Sequence, residues 1–160
     1  MNNVLANAET SITRFATDMA EAMALAGLAT LEYVELDARS ELRDAELPGG
    51  DIIGVTQFSI TEDDKIFPIH FMIGVSTVGD LNLFRLRAIT NFIFNRLQSG
   101  AELTYYDVAA SELAGDAVAK SWIRVLPGST LLPTSRVETR PFRFVQVQAL
   151  LDPLQSNPQA

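Results

Sequence analysis

Two long strand-like runs close together in the chain limit what it can fold into. Between residues 66 and 77 the apolar side chains of Phe67, Ile69, Phe71, Ile73 and Val75 recur at every second position, and Ile52 to Ile60 forms a similar run just upstream. Thr61-Glu62-Asp63-Asp64-Lys65, between them, has the composition of a hairpin turn. A period of two puts one apolar face on such a hairpin, and that face has to be buried against other elements. Pro68, His70, Met72 and Gly74 on the opposite face are less apolar and are expected to be half exposed.

The covering elements can be read from the flanking sequence. From Ala6 to Leu25 the residues Ile12, Phe15, Ala16, Met19, Ala20 and Met23 recur at three- and four-residue steps, which predicts an amphipathic helix with Gly27 as its C′ residue. Leu31 to Leu36 alternates as a short strand. Asp80 can cap a second helix, Leu81 to about Gln98, whose apolar residues wrap past one stripe and call for cover on more than one side. Further strands are predicted at Leu103 to Val108, Ser121 to Leu126 and Phe142 to Leu150, with a small-residue stretch at 109–119 and an extended, partly charged arm from Leu131 to Arg140. Residues 37–51, closing on Pro-Gly-Gly, read as a long mobile loop, and 153–160 as a frayed tail. The element order predicts a single α+β domain over 1–152: a mainly antiparallel sheet with a long hairpin and two main helices packed on one face.

Little in the chain points to chemistry. Its 160 residues contain no cysteine, which removes disulfides, thiolate metal centres, iron–sulfur clusters and cysteine nucleophiles. One histidine, His70, cannot serve a mechanism or metal centre that needs two, and its mid-strand position suits a structural or surface role. Glu62, Asp63 and Asp64 could ligate a hard cation, but their spacing is not that of an EF-hand and a solvated turn accounts for them. Neither a nucleophile elbow nor a dinucleotide or P-loop glycine pattern occurs. The expectation is therefore no enzyme and no cofactor.

A net charge of −8, with Lys65 and Lys120 the only lysines, opposes a general nucleic-acid binder. Tyr105, Tyr106, Trp122, Phe142 and Phe144 with Arg124 and Arg143 could form a stacking platform for a single strand, although core packing is the commoner use of such residues. With no basic-then-apolar leader and no apolar run long enough for a membrane, a soluble protein of the cytoplasm with no membrane partner is expected.

Charge is unevenly distributed. Residues 1–80 hold fourteen acids against four bases, a net of −10, whereas residues 81–143 hold eight bases against five acids, a net of +3. Such asymmetry suits either a solvated surface or a head-to-tail contact between identical subunits. The mixed-charge loop and the arm Arg136-Val137-Glu138-Thr139-Arg140 are polar segments of the kind that order against a neighbour.

The layout also resembles a known family. An N-terminal helix, an extended strand pair (Asp51 to Ile60, Lys65 to Thr77), a helix opened by Asp80-Leu81-Asn82-Leu83 and closing strands ending in Pro141-Phe142-Arg143-Phe144-Val145-Gln146-Val147 resemble the tail terminator proteins of long-tailed bacteriophages, over most of residues 5–151. The resemblance implies a virion protein that forms a ring, hexameric in the family, caps the tail tube, stops its growth and joins it to the neck or head. Its partners would be further copies of itself, the tail tube protein and neck or connector proteins. DNA would only pass through an acidic lumen, without sequence-specific binding. The expected subunit contacts are Glu41, Arg43 and Asp44 in the loop, Asp63 and Asp64 in the turn, and Arg136, Glu138 and Arg140 in the arm. The longer 37–51 loop and the arm depart from the family's shortest members and leave a neighbouring neck or tail-completion ring open. Other classes also remain: a small cytoplasmic ligand-binding domain or enzyme with a pocket between helix 81–98 and the sheet, or an accessory chaperone or adaptor.

Overall fold

The computed structural model describes residues 4–38, 46–107 and 118–152, with the backbone path alone at 118–120. Helix α1, Val4–Leu25, turns Val4, Ala8, Ile12, Ala16, Ala20 and Met23 inward at three- and four-residue steps. Three of these are alanines, which lets the helix axis approach the sheet closely. The helix ends in a Schellman motif: Gly27 takes a φ of 70°, its N–H bonds Ala24 O at 3.1 Å, and the Leu28 N–H bonds Met23 O at 2.9 Å.

The expected hairpin is strand β2, Ile52–Ile60, against β3, Phe67–Ser76. Its turn is tighter than the five-residue segment suggested. Asp63 and Ile66 exchange both backbone hydrogen bonds at 2.8 and 3.0 Å around Asp64 and Lys65, both of positive φ. On β3's other side lies β8, Arg140–Leu151, in unbroken antiparallel register from Phe67 opposite Leu151 to Ser76 opposite Phe142. The far edge of β8 is shared. Strand β5, Val118–Val125, pairs with its C-terminal end, β6, Thr130–Leu131, with its middle, and β7, Ser135–Val137, with its start. Strand β4, Glu102–Asp107, pairs with β5, and β1, the two residues Glu32–Tyr33, adds a parallel pair to Ile52 and Ile53 of β2. The strand predicted over Leu31 to Leu36 is thus shortened to that pair, because the chain turns into a 3-10 turn at Leu36–Ala38.

Helix α1 lies against β1 and β2 and also against β4, at opposite ends of the strand order, so the sheet curls around it. Helix α2, Phe84–Arg96, covers β3, β6 and β8 and buries Leu86, Ile89, Thr90 and Ile93. Both helices share one core with Phe67, Ile69, Phe71, Ile73 and Val75 of β3 and with Val145, Val147, Ala149 and Leu151 of β8. This is the α+β single domain with helices on one face of a mainly antiparallel sheet.

The opposite face is open at His70, Gln146 and Gln148, with Pro68 and Met72 half-buried. Gly74 departs from the expected half exposure and is buried. Gly54 and Gly74 sit opposite each other in β2 and β3, and a Cβ on either would meet Val34 O at 2.4 Å or Phe144 Cε1 at 2.6 Å. Leu36 and Phe144 occupy the space these glycines leave. They belong to a second, smaller cluster of Val34, Leu36, Leu47, Ile52 and Phe142, with Val137 and Phe144 packed against it.

Candidate functional site

Between β3 and α2 the chain makes a turn that holds apolar side chains out in water. The second helix begins at Phe84 rather than Leu81, because Leu81–Leu83 forms a 3-10 turn in which Asn82 and Leu83 have φ of 61° and 58°. Leu83, at the usual capping position, has no side-chain acceptor to offer. Asp80 supplies it from further back: its carboxylate accepts from the Arg85 N–H at 3.0 Å, the Leu86 N–H at 2.8 Å and the Thr77 hydroxyl at 2.9 Å. Burial works against this carboxylate, but the two helix N–H groups, the Thr77 hydroxyl and the Arg85 charge outweigh it and hold its pKa below the ordinary aspartate value.

Asp51 braces the same turn from the start of β2. It accepts two bonds from the Arg85 guanidinium, at 2.5 and 3.0 Å, and one from the Val78 N–H at 3.0 Å, while Arg85 also donates to Val78 O at 2.7 Å. The hydrogen-bonded Asp51 carboxylate raises the Arg85 pKa further, against the opposing effect of burial. On this frame Leu81 stands 83% exposed and Phe84 67%, with Val78 at 43% beside them. Arg87, one turn along α2 from Phe84, is exposed on the same side.

A cleft of about 340 Å³ opens between α1 and the outer edge of β2, lined by Glu9, Thr10, Thr13, Glu35, Asp37, Val55 and Phe58. Asp37 also accepts from the Thr56 hydroxyl at 2.6 Å and the Gln57 N–H at 3.2 Å, which holds the bulge where β2 shifts register. Thr13, one of the lining residues, accepts at its Oγ1 from the Tyr33 hydroxyl at 3.4 Å. Desolvation, assisted by the nearby Glu35 charge and only partly opposed by the Thr13 bond, pushes the Tyr33 pKa up to about 12. A shallower groove between α2 and β6 is lined by Arg87, Ala88, Asn91, Leu131 and Arg143.

The expected contact residues are scattered by the fold. Asp63 and Asp64 are exposed at the hairpin tip, while Arg136 and Glu138 are exposed at the start of β8, at the other end of the sheet. Ten register pairs separate these ends, about 30 Å. Glu41, Arg43 and Asp44 lie outside the described residues. Arg140 has to be corrected. It is only 3% exposed, its Nε donates to Ser76 Oγ at 2.8 Å, and its two terminal nitrogens donate to Pro48 O at 2.7 Å and to Gly50 O. A guanidinium used in this way ties β3, β8 and residues 48–50 together and is not a docking group. The arm itself is laid along β8 as β6 and β7. Part of the opposite charge of the two halves is also satisfied inside the subunit, through Arg85 and Asp51, while Arg124 pairs with Glu102 of its own half at 3.3 Å.

Tyr105, Phe142 and Phe144 belong to the cores and do not join a surface platform. Tyr105 sits in the helix-side core, where burial raises its pKa against the effect of an Asn7 bond, and Phe142 and Phe144 stack 5.9 Å apart in the cluster on the other face. Tyr106 lies under the Arg14 guanidinium, 4.2 Å from its ring centre. Among the described residues, no three His, Asp or Glu side chains converge as a metal site, and no helix is long and apolar enough to cross a membrane. Sequence reasoning missed the braced turn and the acidic cleft. The apolar pattern places Leu81 at the start of the second helix and Phe84 in its apolar wrap, whereas the left-handed backbone at 82 and 83 leads into both residues facing outward. The chain matches no known protein family, no curated protein and no solved structure.

Proposed function

We propose that this chain is a virion assembly protein of the tail terminator kind, a subunit of a ring, hexameric by resemblance, that caps the tail tube and joins it to the neck or head. The observation that carries the reading is the braced turn of Val78, Leu81 and Phe84: an exposed turn held by bonds from Asp80 and Asp51 presents apolar surface rather than reactive groups. The element layout supports it. So does the placement of acidic Asp63 and Asp64 and of Arg136 at opposite ends of the sheet, an arrangement that a head-to-tail contact can use.

The reading is tested by native mass spectrometry and negative-stain microscopy of the concentrated protein. Rings of six 17.5 kDa copies, about 105 kDa in all, are expected. Added to polymerising tube protein from the same virus, the chain should stop growth and appear at tube ends. Tubes that lengthen unchanged in its presence would refute the function.

A second reading, a small cytoplasmic ligand-binding domain or enzyme, is favoured by the groove beneath α2, where Arg87 and Arg143 offer two cations to a small anion. Saturable thermal stabilisation by one metabolite anion, lost in Arg143→Ala, would favour it over assembly.

A further inference from the structure

We infer that Leu81 and Phe84 of one copy of this chain insert into the cleft between α1 and β2 of a second copy, with Arg87 facing the carboxylates on the cleft rim. This deepens the ring reading and rests on it. The turn carries a left-handed Leu83, a conformation that disfavours a side chain, and is held by five bonds to Asp80 and Asp51 in addition to the Thr77 hydroxyl and Val78 carbonyl contacts. The brace keeps the two side chains from folding back onto their own subunit, and covering them offsets the cost.

The cleft has the reverse pattern. Val55 and Phe58 give it an apolar floor, and Glu9, Glu35 and Asp37 give it an acidic rim. An apolar tip flanked by an arginine matches an apolar floor flanked by carboxylates, the arrangement of an interface with a desolvated centre and a charged margin. The same rim would repel nucleic acid or an acidic peptide. Because the inserting turn and the receiving cleft are different patches, the contact is heterologous and repeats from copy to copy, which closes into a ring or runs on as a filament.

The chain has no cysteine, so single cysteines report this contact directly. Leu81→Cys and a tagged Thr10→Cys, mixed under mild oxidation, should give a disulfide-linked dimer that contains one copy of each. Leu81→Asp with Phe84→Asp should weaken self-association by about tenfold or more while leaving the circular dichroism and melting of the subunit unchanged, since both side chains are exposed. Arg87→Glu should weaken it less and be rescued by Glu9→Lys with Glu35→Lys.

Rings that persist in the double aspartate variant, with no mixed dimer, would overturn this contact and leave the ring function standing. Mixed dimers from a chain that never closes a ring or stops a tube would uphold the contact and overturn the function. If the wild-type chain does not associate and the Leu81→Cys and Thr10→Cys pair does not cross-link, the contact is overturned, and the tube-growth experiment decides the function separately.

Discussion

Arg140 joins segments that are far apart in sequence. Its guanidinium is always charged, lies in the interior, and donates to the Ser76 hydroxyl and the Pro48 and Gly50 carbonyls, while Ser76 in turn donates to Pro141 O at 2.6 Å. Arg140→Leu strands these acceptors without a donor, and a loss of about 3 kcal/mol is expected in urea unfolding, with Arg140→Lys falling between. Lys65 offers the opposite case. With Asp64 at φ 47° and Lys65 at φ 71°, the hairpin turn has the double left-handed form that favours Asp-Gly, so Lys65→Gly should raise stability by about 0.5–1 kcal/mol in the same measurement. Tyr33 yields a pH prediction. Its folded pKa of about 12 lies above the ordinary tyrosine value of 10.0, so the native state keeps a proton that the unfolded chain loses, and stability falls as pH rises through that interval. A phenolate absorbance titration should show a step near pH 12, and Tyr33→Phe should remove that step and part of the alkaline loss while the raised Tyr105 step stays. Neither Arg140 nor Tyr33 could be assigned its place from residue type: an arginine among charged neighbours reads as surface, and only the pairing of β3 with β8 encloses it.

The start of α2 depends on a residue four positions before the helix. Asp80 was recognisable as a cap, but the helix it caps begins three residues later than the apolar pattern suggested, because periodicity locates a stripe and not the turn that leads into it. Asp80→Ala should cost about 1 kcal/mol and fray Phe84 to Leu86, read as faster amide exchange there. The folded pKa of Asp80 is depressed, so its contribution is present above the unfolded aspartate value and is lost as pH falls through the folded one. Amide protection at the start of α2 should therefore drop below about pH 4, before the rest of the helix opens. Strand β3 was legible throughout, since its apolar residues alternate from Phe67 to Val75, and β2 and most of β8 were legible as long apolar runs between turns, although β2 changes face at its bulge. Strands β1, β6 and β7 are only two or three residues long, and their pairing is imposed by neighbours rather than by their own sequence.

Across the whole molecule, charge that looked like a reservoir for intersubunit contacts is partly spent within the subunit, where Arg85 of the basic half pairs with Asp51 of the acidic half. Self-association should therefore weaken only modestly between low and moderate salt, as measured by sedimentation, with the apolar turn carrying most of the affinity and Arg87 the salt-dependent part. Local pattern alone was enough to specify the hairpin, the amphipathic first helix with its Gly27 stop and the α+β class, because alternation and helical spacing are properties of neighbouring residues. The curl of the sheet around α1, the burial of Arg140, the glycine hollow filled by Leu36 and Phe144, and the outward display of Leu81 and Phe84 were settled only by tertiary structure. Each depends on residues brought together from distant parts of the chain, or on a backbone conformation that packing and distant hydrogen bonds stabilise and local preference does not.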